Sequence, residues 1–188
     1  NAAAYAARGD YDCVAYHTQD VYKKTRHITR EQFNETGKLE DAYTGSNLMF
    51  TKSKAVPSSQ KADLDHVISA KNVHDDRGRV LAGLDGKELA NQESNLKFTN
   101  SSLNRSMGKK DIPDYIAAHP EMPEDQKQRM MDAYNTAMGE MDAQINRAYY
   151  TSPRFALDLS ASVATVGVGM GMRQALGFVF AEIWFAVQ

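Results

Sequence analysis

Asp65 and His66 are adjacent in a short stretch, Leu64 to Ile68, that we predict to be a strand. A carboxylate at a strand end supplies a ligand for a hard divalent cation, and the neighbouring imidazole titrates near neutral pH. Mg²⁺ prefers oxygen ligands and keeps several waters, so the side-chain amide of Asn104 completes a chemically reasonable site with Asp65. These residue types together favour metal-dependent hydrolysis of a phosphodiester, with the histidine free to act as a base.

The same residues belong to a longer pattern of three short motifs in a fixed order. The motifs are Asp65-His66, Asn95-Leu96 and Asn104-Arg105, followed by Gly108, Lys109 and Lys110. In this order they resemble the HNH endonucleases, also called ββα-metal or His-Me finger nucleases. That family carries an Asp-His pair on a first strand, an Asn-Leu on or after a second strand, and an Asn-Arg on the helix. Its first turn, with the usual zinc-knuckle cysteines replaced, is similar to the segment Asp41-Ala42-Tyr43-Thr44-Gly45.

The resemblance implies an α+β fold in which a small ββα-metal (His-Me finger) core, residues 41–116, is embedded in flanking α-helices. It implies that His66 is the general base that deprotonates the attacking water. Asn95 is implied to orient the loop and, through its backbone carbonyl, the His66 ring. Asp65 and Asn104 are implied to bind one divalent metal, with Mg²⁺ favoured over Mn²⁺. The products that the resemblance implies are a 5′-phosphate and a 3′-hydroxyl.

Two features of the pattern leave alternatives open. Asn100 competes with the other two asparagines for either of their roles. Between His66 and Asn95 lie 28 residues, more than in the compact family core, so we expect residues 72–90 to loop out without disturbing the site. Three neighbouring residues in that stretch form either a second set of metal ligands or, as we expect, part of a solvated loop. They are His74, Asp75 and Asp76.

Six basic residues lie close to these motifs in the sequence, while acidic residues gather elsewhere. We expect them to contact the DNA backbone rather than to read bases, as in a weakly sequence-specific nuclease. For each residue taken alone, an ordinary solvated face is the alternative. The six are Arg77, Arg79, Lys97, Arg105, Lys109 and Lys110.

The composition is that of one ordinary globular domain, with 188 residues of which 42% are hydrophobic and 24% charged. A formal net charge of −2 excludes a global basic field, so any DNA-binding surface must be local. The single cysteine, Cys13, excludes an internal disulfide and a four-cysteine zinc cluster, and we expect a cytoplasmic protein. Because the chain begins with Asn1 and lacks the layout of a signal peptide, we interpret it as an excised piece of a longer protein.

Residues 1–40 form a polar segment that is rich in helix formers, and we predict a helical lead-in there. The pair Thr29 and Gln32 has the spacing of a capping box and predicts a helix start. Gly37 predicts a helix stop, since glycine adopts the left-handed conformation that commonly follows a helix.

The segment from Asp41 to Lys71 alternates between turn residues and short apolar runs. This texture predicts one or two hairpins, including the strand that carries the Asp-His pair. Residues 72–94 contain turn-prone Asp-Asp and Asp-Gly pairs and predict a loop, with a little helix from Lys87 to Asn91.

The region 117–188 contains the most regular helical pattern of the chain, followed by an apolar tail. Apolar residues recur every three or four positions after Pro123 and predict one long amphipathic helix that ends at Pro153. We expect the tail, Ser160 to Gln188, to be a buried helix or to contact other domains or subunits of a larger assembly. A membrane-active segment is the alternative. The stripe of the long helix is Met130, Tyr134, Ala137, Met141, Ile145 and Ala148.

These observations predict a metal-dependent HNH endonuclease that cleaves DNA, as the effector domain of a larger phage-defence, restriction or toxin protein. An interaction or membrane-active module on a nuclease-like scaffold is an alternative from another class, in which the apolar tail carries the function. An RNA-cleaving nuclease of the same fold is a further alternative, although nothing from Arg105 to Lys110 reads a 2′-hydroxyl.

Overall fold

A computed structural model describes residues 2–167, with side chains to residue 161. Over this range the chain is an α+β protein in which α-helices surround a two-stranded antiparallel sheet. The strands are β1 (Ala62–His66) and β2 (Leu96–Asn100). The helices are α1 (Ala2–Ala6), α2 (Cys13–His17), α3 (Asp20–Thr36), α4 (Ala70–Asp75), α5 (Arg77–Ala82), α6 (Gly86–Ala90), α7 (Ser101–Met107), α8 (Ile112–Ala117), α9 (Glu124–Tyr150) and α10 (Pro153–Gly167).

The two strands and helix α7 form one packed unit. β1 pairs with β2 in a register that sets His66 opposite Leu96 and Asp65 opposite Lys97. Helix α7 begins directly after β2, because the side chain of Asn100 accepts a hydrogen bond from the backbone N–H of Leu103. The helix then packs against both strands. The predicted strand at the Asp-His pair is therefore confirmed, with its bounds shifted two residues toward the N-terminus.

The segment between the two strands is helical, so the prediction of a loop over residues 72–94 is wrong for most of its length. Helices α4, α5 and α6 follow one another, and only the short helix expected near Lys87 is confirmed, as α6. The side chains of Ser69, Asp76 and Asp85 each accept a hydrogen bond from a backbone N–H of the following helix. The aspartates that indicated a turn in the sequence are helix N-caps in the structure. An aspartate side chain can accept a hydrogen bond from the backbone N–H groups of a turn or of the first turn of a helix.

The one or two hairpins predicted between Asp41 and Lys71 are also absent from the described chain, where this segment has two isolated bridges, Glu40 with Asn47 and Met49 with Lys61, and its one strand pairs with β2. The side chain of Asp41 explains this arrangement. It accepts hydrogen bonds from the backbone N–H groups of Tyr43 and Thr44, which closes a tight turn. β1 pairs with β2 instead, although its first residue, Ala62, also donates to the Met49 carbonyl of this segment.

The helical lead-in is confirmed as helices α1 to α3. Gly37 terminates α3 in the left-handed conformation, with φ at 65°, as predicted. The capping box is wrong, because Thr29 and Gln32 both lie inside α3, which begins at Asp20. Helix α3 is held on the sheet by Tyr22, whose hydroxyl donates to the Leu64 carbonyl of β1 at 2.8 Å.

The long predicted helix is confirmed as α9, which packs against α5 and α8. Pro153 does not end it. The helix ends at Tyr150, and Pro153 is the first residue of α10, a position that requires no backbone donor. The apolar tail beyond residue 167 lies outside the described residues, and within them no helix is long and apolar enough to span a membrane. The buried face of α9 consists of Met130, Ala137, Met141 and Ile145.

Candidate functional site

The end of β1 and the adjacent face of α7 form one side of a cavity of about 330 Å³. Three of the four residues expected to act in catalysis or metal binding line it together, namely Asp65, His66 and Asn104. A second cavity beside it shares the Asn104 side chain. The first cavity is completed by residues of the lead-in, the start of α4 and the end of α7, which are Tyr11, Cys13, His17, Leu64, Ser69, Ala70, Lys71, Gly108 and Lys109.

Asp65 is a buried carboxylate, with 8% of its surface exposed. The hydroxyl of Tyr43 donates to its Oδ2 atom at 2.7 Å, and no basic side chain in residues 2–161 forms an ion pair with it. Burial raises the pKa of Asp65 to about 7, because the charged form loses its hydration. A cation in the cavity would remove this penalty, so the position suits a metal ligand.

His66 is held between rings from the lead-in. Its imidazole stacks on Tyr22, with centroids 5.4 Å apart, and meets the ring of His17 edge-on at 5.1 Å. Burial lowers the pKa of His66 to about 4, because the imidazolium form is desolvated. The ring is therefore neutral at pH 7 and has a lone pair available to accept a proton.

Asn91 determines which nitrogen of His66 carries that lone pair. The Nδ2 group of Asn91 donates to the carbonyls of Tyr16 and Lys87, so its Oδ1 atom is the atom that faces the His66 ring. The distance from Oδ1 to the Nε2 atom of His66 is 2.9 Å. Since an amide oxygen only accepts, Nε2 must donate, and Nδ1 of the neutral ring is left as the basic nitrogen. No motif in the sequence indicates Asn91.

The predicted contact between the backbone carbonyl of Asn95 and the His66 ring is not formed. That carbonyl accepts from the backbone N–H of Val67 at 2.9 Å, and the ring is held by Asn91 instead. The Asn95 side chain, which is fully buried, accepts from the N–H of Ile68 and donates to the carbonyls of Ile68 and Ala90. Asn95 thus fixes the chain that leaves β1 and makes no hydrogen bond to the ring itself.

We expect Asn95→Ala to lower the free energy of unfolding by about 3 kcal/mol or more, because it leaves three buried backbone groups without partners. Urea denaturation measures this change. Asn104→Ala is the matched control, since Asn104 is half-buried and the substitution should cost about 1 kcal/mol or less. Equal losses in the two variants would show that the Asn95 side chain does not hold the loop.

Asn104 lies on α7 at the boundary between the two cavities. Its Nδ2 group donates to the Oδ2 atom of Asp63 at 3.0 Å, which leaves the amide oxygen available as a ligand. Asn100, the competing asparagine, has structural partners: it caps α7 and its Nδ2 group donates to Asp41 at 2.8 Å. This geometry favours Asn104 over Asn100 for the ligand role.

The donor set formed by Asp65 and Asn104 fits a hard divalent cation. Both residues line the same cavity and offer one carboxylate and one amide, and Mg²⁺ typically takes few protein ligands and keeps several waters. Among the described residues no group of three or more His, Cys, Asp or Glu side chains is placed to hold a metal. The alternative set at His74 has other partners, since its two ring nitrogens contact the Tyr16 hydroxyl and the Gly9 carbonyl.

The basic residues expected at the DNA differ in their positions. Lys109 lines the cavity, and Lys110 is exposed beside it. Arg105 is exposed on α7, and Lys97 lies on β2 opposite Asp65. Arg77 is exposed on α5, a helix that packs against α9. Four of the six therefore lie on the β2 and α7 side of the site.

The prediction that Arg79 contacts phosphate is wrong. Its side chain is buried, with 7% exposed, and its guanidinium donates to the carbonyls of Val73, His74 and Leu84. These bonds satisfy backbone groups at the ends of α4 and α5, so Arg79 stabilises the helices between the strands. Its burial leaves it out of reach of a nucleic acid.

Several side chains at the site make contacts that no motif indicated. Tyr43 and Asn91 contact Asp65 and His66, while His17 and Lys71 line the cavity. None of the family models, curated proteins or solved structures compared with this chain matches it. A functional assignment therefore depends on the geometry of these residues.

Proposed function

We propose that this chain is a metal-dependent HNH-type endonuclease that hydrolyses DNA phosphodiester bonds. The observation that carries the proposal is a neutral histidine at one cavity with an uncompensated buried carboxylate and an available amide oxygen. In this proposal residues 41–116 are a ββα-metal core, with β1, β2 and α7 as its two strands and helix. Residues 1–40 and 117–188 flank that core.

His66 acts as the general base in this mechanism. Asn91 accepts from Nε2 and so keeps the lone pair on Nδ1, which takes the proton of the attacking water. Tyr22 and His17 hold the plane of the ring and exclude water from its buried side. The lowered pKa keeps the ring unprotonated before the reaction, so no prior deprotonation step is needed at neutral pH.

Asp65 and Asn104 hold the divalent ion, Mg²⁺ or Mn²⁺. When bound, the ion stabilises the charge that develops on the scissile phosphate and on the leaving oxygen. Tyr43 donates to one carboxylate oxygen of Asp65 and so orients the carboxylate toward its role as ligand. Attack by the activated water with loss of the 3′ oxygen gives a 5′-phosphate and a 3′-hydroxyl.

The substrate we propose is DNA, contacted through its backbone. Lys109 lines the cavity, and Lys97, Arg105 and Lys110 lie on or next to β2 and α7, where they supply positive charge for backbone contacts. A nuclease of low sequence specificity endangers its host. We therefore propose that it works in the cytoplasm as the effector of a larger phage-defence, restriction or toxin protein.

Digestion of supercoiled plasmid by the purified chain tests this proposal. We expect nicked and linear DNA in Mg²⁺ or Mn²⁺, no cleavage in EDTA, and products that a ligase can rejoin because their ends are 5′-phosphates and 3′-hydroxyls. A structured RNA digested in parallel distinguishes a ribonuclease of the same fold. Intact DNA in both metals would contradict the proposed function.

A further inference from the structure

Helix α3 carries a face of basic side chains that no motif in the sequence singled out. The residues recur at spacings of three and four, so they lie on one side of the helix. They form the lining of a shallow pocket of their own. We refer to them as the α3 basic face, which consists of Lys23, Arg26, His27 and Arg30.

The α3 basic face is continuous with the candidate active site. Lys23 and Arg26 also line the second cavity, together with Asp63 and Asn104. Asn104 in turn lines the cavity that contains Asp65. The shared lining residues show that the three cavities adjoin one another, and we refer to this series, from the proposed metal ligands to the α3 basic face, as the groove.

We propose that this groove binds the backbone of duplex DNA beside the scissile phosphate, with the α3 basic face contacting consecutive phosphates. This inference rests on the proposed nuclease function and assigns its substrate path. It adds residues of the lead-in to a DNA interface otherwise formed by β2 and α7. The lead-in is then part of the substrate-binding surface and also a support for the His66 ring.

The length of the α3 basic face suits this role. From Lys23 to Arg30 the helix rises about 10 Å, at about 1.5 Å per residue. One DNA strand advances about 3.4 Å along the duplex axis per phosphate. Because neighbouring phosphates of one strand are farther apart than this axial rise, the face is long enough for about two successive phosphate contacts.

The charges on the α3 basic face are available to an anion. Within residues 2–161, no carboxylate forms an ion pair with Lys23 or Arg30, and both side chains are exposed. The guanidinium of Arg30 lies 5.4 Å from the centroid of the Phe50 ring, which restricts its orientation. Arg26 is partly compensated by Asp63 at 3.6 Å, so the two exposed cations are the better probes.

The test measures binding of a fluorescently labelled DNA duplex to the whole chain in EDTA, at 50 and 200 mM KCl. Each phosphate contact makes this fourfold rise in salt weaken binding by about 3.5-fold. Lys23→Gln and Arg30→Gln should each reduce the salt-induced loss of affinity by about that factor. Lys24→Gln is the matched control, because Lys24 is exposed on the same helix but lies about 100° away from Lys23. It should leave the salt dependence unchanged.

The outcomes separate this inference from the nuclease proposal. If the wild-type chain cleaves DNA and the Lys23 and Arg30 variants keep the wild-type salt dependence, the groove is not the DNA path and the inference is overturned. If these variants lose salt dependence but no metal supports cleavage, the groove binds DNA and the nuclease proposal fails alone. Tighter binding of an RNA duplex, with the same two variants affected, would overturn the choice of DNA.

Discussion

His66→Ala should lower the rate of metal-dependent DNA cleavage by about a hundredfold or more, the usual loss when a general base is removed. The ring is neutral at pH 7, lines the cavity, and keeps its lone pair on Nδ1 because Nε2 donates to Asn91. Plasmid digestion under single-turnover conditions measures the rate. His119→Ala is the control, because His119 packs on Tyr115 in a different part of the fold and should retain full activity.

The His66 ring also packs between Tyr22 and His17, so alanine leaves a gap that could disturb the fold. His66→Gln fills more of this space, and its amide can still donate to Asn91, but it has no imidazole base. Circular dichroism and thermal melting establish that each variant is folded before its activity is compared. A folded His66→Gln variant with wild-type activity would show that His66 is not the base.

Asp65→Asn should make the metal-free protein more stable at pH 8 by about 4 kcal/mol while abolishing cleavage. Burial raises the folded-state pKa of Asp65 from its usual 3.8 to about 7. The protonated carboxyl therefore favours folding, and its contribution is complete below about pH 4 and is lost as the pH rises through 7. Asparagine is never ionised, and its Oδ1 atom can still accept from the Tyr43 hydroxyl.

Urea unfolding in EDTA at pH 5 and pH 8 measures this effect as the difference between Asp65→Asn and the wild type. The difference should be about 2 kcal/mol at pH 5 and about 4 kcal/mol at pH 8. Mg²⁺ at pH 8 should stabilise the wild type and leave the variant unchanged, because only the carboxylate binds the ion strongly. A variant that is less stable than the wild type at pH 8 in EDTA would contradict this description of Asp65.

The central part of the candidate site could be predicted from the sequence because its residues lie on neighbouring elements of the chain. Asp65 and His66 are neighbours on one strand, and Asn104 lies on the helix that directly follows the next strand. An ordered set of short motifs is enough to predict that such residues meet. The spacing rules for strands and helices likewise predicted β1, α6 and α9.

The supporting contacts lay beyond sequence reasoning because they join distant segments. Asn91 lies 25 positions from His66, and Tyr43 lies 22 positions from Asp65. Neither residue type indicates such a contact in advance. For Arg79 the sequence predicted a contact that the structure does not form. Its guanidinium lies inside the protein and donates to carbonyls at helix ends, and a pattern of charges in the sequence does not show which basic side chains are buried.

Counting bound Mn²⁺ by electron paramagnetic resonance tests the central claim most directly, namely that Asp65 and Asn104 hold one divalent ion beside His66. We expect one Mn²⁺ per wild-type chain and little or none in Asp65→Asn and Asn104→Ala. His119→Ala should bind as the wild type does. Equal occupancy in all four proteins would place the ion elsewhere and contradict the account of the site.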